Sequence, residues 1–317
     1  MSKTAFLFPG QGSQVIGMGV SLATQHPDLK AYYQKASDIL EWNLWTLCEN
    51  GPEDRLRQTD MTQPALYVTG YAAFKALQKE GLSPQAVAGH SIGEYVALAA
   101  AGVFSFEDGL KLVQRRGQLM KEVGQKNPGT MAAVLGLSGS IVEKICQDIQ
   151  ASGICVAVNF NSPEQTVIAG TEQAIAVAIP ALQQAGAKRI LPLNVSGAFH
   201  SPLMKEAAET MKQTLAHAPF QNATIPVVMN VDGAFHTSAD DIRTTLSLQL
   251  DHAVQWVRTI ESLANQGFSR FIETGSGKVL SGLVRRICKE VIVYTTESAE
   301  AFQQTTEAFA VTQKGTL

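Results

Sequence analysis

A-V-A-G-H-S-I-G-E-Y, residues 86–95, joins a short apolar run to an alanine-rich pattern, Glu94 to Ala101, through a serine held between Gly89 and Gly93. Strand, tight turn and helix with G-x-S-x-G at the centre is the setting of a nucleophile elbow. Glycines tolerate the strained turn that lifts a serine hydroxyl clear of the backbone, while the N–H groups that follow point into the same space. The five-residue pattern alone also fits a glycine-rich turn without chemistry; the flanking strand and helix favour Ser91 as a nucleophile. The first 120 residues alternate short apolar runs, Thr4 to Phe8 and Gln85 to Gly89, with longer helical patterns. That alternation predicts a mostly parallel sheet with helices on its faces.

The texture changes near Gly129. M-A-A-V-L-G-L (131–137) reads as a strand and Ser140 to Ser152 as a helix, with Val142, Ile145, Cys146 and Ile149 on one face. Strands C-V-A-V-N-F (155–160) and T-V-I-A-G (166–170) follow, then a helix capped by Thr171, then the strand K-R-I-L-P-L (188–193). β-α-β-β-α-β is the order of a ferredoxin-like unit. Pro180 falls inside the second helical pattern and predicts a kink or break there. Beyond Asn194 the alternation resumes, with short strands at Ile225 to Met229, Ser269 to Ile272 and Val291 to Thr295. The expected fold class is α/β: a large α/β-hydrolase-like domain from residues 1–128 and 195–317, with a ferredoxin-like subdomain, 129–194, inserted into it. The cleft between the two is the default site.

Bulk properties narrow the function. The chain has 317 residues and a net charge of −3. Its pI is about 6.1. Without a basic, aromatic-interleaved stripe, this argues against a nucleic-acid binder. No run approaches 18 apolar residues and the N-terminus lacks a signal peptide pattern, so a soluble, cytoplasmic protein without a membrane partner is expected. The four cysteines (Cys48, Cys146, Cys155 and Cys288) show no C-x-x-C pair and no metal-ligand spacing with histidine. They read as reduced structural thiols, with no metal expected.

Ser91 needs a base. Of the six histidines, His26, His217 and His236 lie in polar or turn-rich stretches, and His90 should leave the turn in another direction. His200, in N-V-S-G-A-F-H-S-P directly after the strand that closes the small unit, ranks ahead of His252. The acids between Ser91 and His200, such as Glu107, Glu143 and Glu172, fall on helix starts or polar faces. A dyad whose histidine is held by a neutral group, such as a backbone carbonyl, fits that distribution. Ser105 and Asp108 mark a helix start, after which Phe106, Leu110, Val113, Gly117 and Met120 share a face. Arg116 points partly into that face, where a guanidinium needs an anion: an internal carboxylate or one carried by a substrate. Two glycine-rich stretches fail as nucleotide loops, because position 15 is valine in the first and positions 272 and 279 are isoleucine and valine in the second. The first of these loops places Gln11 to offer its backbone N–H to an oxyanion instead.

F-P-G-Q-G-S-Q (8–14), T-Q-P-A-L (62–66), G-H-S-I-G-E-Y (89–95), R-G (116–117), N-F-N-S-P (159–163), G-A-F-H-S-P (197–202) and E-T-G-S-G-K-V-L-S-G-L (273–283) occur in this order. Together they resemble the malonyl-CoA:acyl carrier protein transacylases of type II fatty acid synthesis, and the related acyltransferase domains of polyketide synthases, over residues 4 to about 295. The resemblance implies Ser91 as the acylated nucleophile, His200 as general base, and Arg116 as the ligand of the malonyl carboxylate. It implies an oxyanion hole from the N–H groups of Gln11 and Ile92, a backbone carbonyl of Gln249 that orients the histidine, and a cleft glutamine at Gln63. Phe199 is similar to the bulky residue of malonyl-selective members, whereas Gly197 departs from the common polyketide form H-A-F-H. The implied substrates are malonyl-CoA and phosphopantetheinylated acyl carrier protein, with no cofactor, and the protein is expected to be a monomer. A basic rim including Lys188, Arg189, Arg285 and Arg286 would receive the acidic carrier. A stand-alone polyketide acyltransferase, a serine thioesterase or other hydrolase, and a non-catalytic carrier-binding module are the competing expectations.

Overall fold

The computed structural model describes the backbone of residues 3–314 and the side chains of residues 3–310. Its strands are β1 (Lys3–Phe8), β2 (Ala86–Gly89), β3 (Thr130–Leu135), β4 (Cys155–Ser162), β5 (Gln165–Gly170), β6 (Arg189–Pro192), β7 (Val227–Val228), β8 (Phe235–His236), β9 (Phe268–Glu273) and β10 (Ile292–Thr295). They form two sheets, ordered β10-β9-β1-β2-β7-β8 and β4-β5-β3-β6. In the first, every pair is parallel except β7 with β8. The second is antiparallel throughout, and its four strands are consecutive in the chain between β2 and β7.

Side-chain alternation explains why β1 and β2 occupy the middle. Phe6, Phe8 and Val87 enter one core, whereas Ala5, Leu7, Ala86 and Ala88 enter another with Trp256, Leu263 and Val284 on the opposite face. A strand buried on both sides has no solvent face, so it reads as a continuous apolar run. The Thr59–Lys79, Gly93–Ala100 and Phe106–Lys126 helices contribute to the first core. The antiparallel sheet has its own core, in which Ala132, Val134 and Ile168 meet Cys146 and Leu182 from its two helices.

Two expectations need correction. The Glu172–Gln184 helix is not broken at Pro180 but runs through it. Proline removes one helical hydrogen bond, and here Ala174, Ile175, Ala178 and Leu182 bury the apolar face of the helix and hold it together. The preceding helix spans Gly139–Asp148, and only a short 3₁₀ turn, Gln150–Ser152, continues towards the predicted end.

The small sheet is tied to the segment preceding the Trp256–Asn265 helix and to the serine turn. Phe160 N–H donates to Val254 O at 3.0 Å and Val254 N–H to Val158 O at 2.8 Å. His90 does leave the turn away from the serine side chain: its Nε2 pairs with Asn161 Oδ1 on β4 at 2.8 Å, and its ring packs against Trp256. The turn itself leaves no room for side chains at its glycines. A Cβ on Gly89 would stand 1.9 Å from Gly93 O, and one on Gly93 would stand 2.0 Å from Phe8 O. Because the obstruction is backbone in both cases, helix for Gly89 and strand for Gly93, Gly93→Ala should cost about 3 kcal/mol or more. Urea denaturation measures this, and a variant as stable as the parent would contradict the packing described.

Candidate active site

Ser91 sits at φ 52°, in the left-handed region, between β2 and the helix that opens at Gly93. An L-residue is held there only when its surroundings compel it. The side chain of Asn230, just past β7, supplies much of that constraint. Its Oδ1 accepts the Ser91 N–H at 2.7 Å and its Nδ2 donates to Gly89 O at 2.6 Å. The result is a partly exposed hydroxyl on a rigid turn.

Ser91 Oγ lies 2.8 Å from His200 Nε2, and His200 Nδ1 lies 2.7 Å from Gln249 O. A backbone carbonyl can only accept, so Nδ1 carries the ring proton and Nε2 is free to take the proton of the serine. Complete burial, together with the nearby Arg116 charge, pushes His200 from its usual 6.5 down to about 3. The imidazole is therefore neutral and able to act as a base. No carboxylate is needed to orient it. His252 is exposed and pairs with its neighbour Asp251 at 2.8 Å.

Arg116 comes from the Phe106–Lys126 helix, whose Ser105 cap accepts the Asp108 N–H at 3.0 Å. The guanidinium is only 1% exposed. A Cβ on Gly117 would lie 3.0 Å from Asp60 Cα, so the glycine lets this helix approach the start of the Thr59–Lys79 helix. The approach brings Gln63 into reach. Arg116 Nη1 donates to Gln63 Oε1 at 2.7 Å, Nε and Nη2 donate to Gln249 Oε1 at 3.2 and 2.9 Å, and Nη2 also donates to Ser91 Oγ at 3.1 Å. The guanidinium also lies over the Tyr95 ring, 5.5 Å from its centroid. Among the described residues no aspartate or glutamate forms an ion pair with it. Burial lowers its proton affinity, opposed by Tyr95 and Glu94, yet an arginine so placed remains charged. A full positive charge thus stands beside the serine with only neutral hydrogen-bond acceptors.

Gln11 is half-buried and Ile92 buried. Among the described residues neither backbone N–H donates to a protein acceptor. A Cβ on Gly10 would meet His90 O at 2.6 Å, so the loop bearing Gln11 lies directly against the serine turn. Phe199 is buried in the large core next to His200 in the chain. A side chain at Gly197 would crowd Gly124 Cα at 3.1 Å and the Phe199 ring at 3.3 Å. Lys188, Arg189, Arg285 and Arg286 are all exposed, and Lys188 pairs with Glu164.

Sequence reasoning missed three residues around this site. Glu94, on the first turn after the serine, is fully buried; it accepts the Asn230 N–H at 2.6 Å through Oε1 and the Gln249 side-chain amide through Oε2. Burial raises its carboxyl, opposed by these bonds and by Arg116; because both oxygens accept from N–H donors, the geometry is that of the carboxylate. Asn230 and Asn161 were the other two. A charged residue within an otherwise apolar helix start was the available signal for Glu94; nothing local marked the asparagines.

Residues 5–314 match the acyl transferase domain family. The chain is 43% identical over 288 residues, 90% of its length and 93% of the relative's, to the malonyl CoA-acyl carrier protein transacylase of Escherichia coli strain K12. Among solved structures, a malonyl-CoA:acyl carrier protein transacylase from Xanthomonas oryzae pv. oryzae superposes with a TM-score of 0.94 at 40% identity, over 97% of this chain and 98% of that one. A malonyl-transacylase solved in complex with its type II polyketide acyl-carrier protein gives the same TM-score and identity, over 97% and 100%.

The depressed His200 value has a definite sign. The unfolded chain takes up a proton near 6.5 and the folded one only near 3, so this residue's contribution to stability is present above 6.5 and lost as pH falls towards 3. Ring signals of His200 in NMR should remain those of a neutral imidazole as pH drops through 6.5. A midpoint at 6.5 would contradict the geometry.

Proposed function

The chain belongs to the acyl transferase domain family, and we propose that it transfers malonyl from malonyl-CoA to the phosphopantetheine thiol of an acyl carrier protein through a malonyl-serine ester. The single observation that carries this is Arg116: a buried cation beside the nucleophile that, among the described residues, is ion-paired to no carboxylate. Such a charge is costly unless an anion meets it during the working cycle. A malonyl group brings that anion one carbon beyond its reactive carbonyl; acetyl does not.

In the proposed first half-reaction His200 Nε2 takes the Ser91 proton as Oγ attacks the thioester carbonyl. The Gln11 and Ile92 N–H groups receive the oxyanion, each such donor being worth about 3 kcal/mol. Collapse breaks the C–S bond, and the departing sulfur takes the proton from His200 to leave as free CoA. In the second half the pantetheine thiol gives its proton to His200 and attacks the ester, and Ser91 Oγ recovers the proton as it departs. Gln249 O holds the base throughout. Gln63 and the Gln249 side chain aim the guanidinium, and Phe199 limits room for branching at the α-carbon.

This chemistry uses the protein's own side chains and backbone groups, one thioester substrate and one thiol substrate, and we assign it to fatty acid elongation in the cytoplasm. No helix of the described residues is long and apolar enough to cross a membrane. Residues 129–194 act in this proposal as an inserted unit that walls the cleft beside His200 against water.

Intact-protein mass spectrometry after mixing with malonyl-CoA tests the proposal. One malonyl adduct is expected on the parent and none on Ser91→Ala. Arg116→Ala should lose about 10²-fold in malonyl loading while acetyl loading falls far less, because a charge-assisted bidentate contact is removed. An adduct that survives Ser91→Ala would sink the proposal. A hydrolase would instead release acid to water, and Arg116→Ala would matter little.

A further inference from the structure

Gln249 does two things at once: its carbonyl holds His200 and its side-chain oxygen holds Arg116. The second depends on which way the amide faces. Arginine can only donate, so Oε1 must be turned towards it, and Nε2 must find acceptors on the other side. Those acceptors are Ser91 O, at 2.9 Å, and Glu94 Oε2. Turned the other way, the amide would set its NH₂ against a guanidinium and leave Arg116 with one fewer acceptor. Ser91 O alone is a weak determinant, because it is also committed to the Glu94 N–H at the helix start, at 3.1 Å. The strong acceptor is the buried carboxyl of Glu94, whose other oxygen is fixed by the Asn230 N–H. Among the described residues Glu94 forms no ion pair, so its burial is not explained by a surface or interhelical salt bridge.

We infer that Glu94 is a positioning residue for acyl transfer: it fixes the polarity of the Gln249 amide and thereby aims Arg116 at the acyl carboxylate. Glu94 touches neither substrate nor reacting atom. The inference rests on the malonyl-transfer proposal, since it is the malonyl carboxylate that a correctly aimed Arg116 receives.

Glu94→Gln is the informative substitution. The new amide keeps an oxygen for Asn230 N–H and turns its NH₂ to Gln249, which removes the acceptor and favours the wrong orientation. Malonyl loading should fall about 10- to 100-fold, the cost of leaving a buried donor without a partner. The loss should be larger for malonyl-CoA than for acetyl-CoA, since acetyl makes no use of the guanidinium. In a Gln249→Met background, where there is no amide left to orient, Glu94→Gln should change malonyl loading by roughly twofold or less. A general structural role would lower both acyl groups equally and multiply with Gln249→Met; either result overturns the inference, as does parental loading by Glu94→Gln. Should Glu94→Gln melt below the assay temperature, Glu94→Asp, one methylene too short to reach the amide, is run through the same cycle with the same expectations. Failure of the parent protein to load malonyl at all would defeat the malonyl-transfer proposal itself, and is read separately.

Discussion

A guanidinium that is 1% exposed and meets only amide and hydroxyl oxygens organises this molecule. Taking an ion out of water costs several kcal/mol even after relaxation, on the order of what one well-placed network returns. Three segments beyond the serine turn build that network. The Thr59–Lys79 helix brings Gln63, the Phe106–Lys126 helix brings the arginine, and the segment before β9 brings Gln249. Gly117 is small because the first two helices must touch for Gln63 to reach Arg116. The same charge has a second effect: it helps keep His200 neutral, so base and cation coexist within one hydrogen-bond network around Ser91 Oγ.

That arrangement distinguishes the site from a hydrolase with the same turn. The elbow of Gly89, Ser91 and Gly93 is a device for exposing a hydroxyl, whatever acyl group it takes, and fold alone assigns no reaction. Selectivity enters through what faces the hydroxyl. Holding His200 with a carbonyl in place of a carboxylate keeps a negative charge that would repel an anionic acyl group away from the imidazole.

Much of this was legible in the sequence because the relevant signals are local. Alternating apolar residues and a capping threonine outlined the β-α-β-β-α-β unit, and a period of 3.6 turned Arg116 partly towards the inner face of its helix. Pro180 does not end its helix, because propensity speaks only for its own turn, whereas the buried face of that helix is a tertiary matter. The remainder of the site was not legible for the same reason. Glu94 meets Asn230 across 136 residues and Gln249 across 155, and His90 meets Asn161 across 71. Ranking His200 above His252 needed only pattern, but that Gln249 contributes its side chain as well as its carbonyl is visible only once the three chain segments are folded together.

In the proposed cycle Arg116 waits for a carboxylate supplied by the acyl group. A crystal structure of the protein with malonyl esterified to Ser91 tests it most directly. The guanidinium should have left Ser91 Oγ and be paired through two N–H groups with the malonyl carboxylate, with Gln63 and Gln249 still against it. A malonyl carboxylate turned to solvent, with Arg116 unmoved, would contradict it.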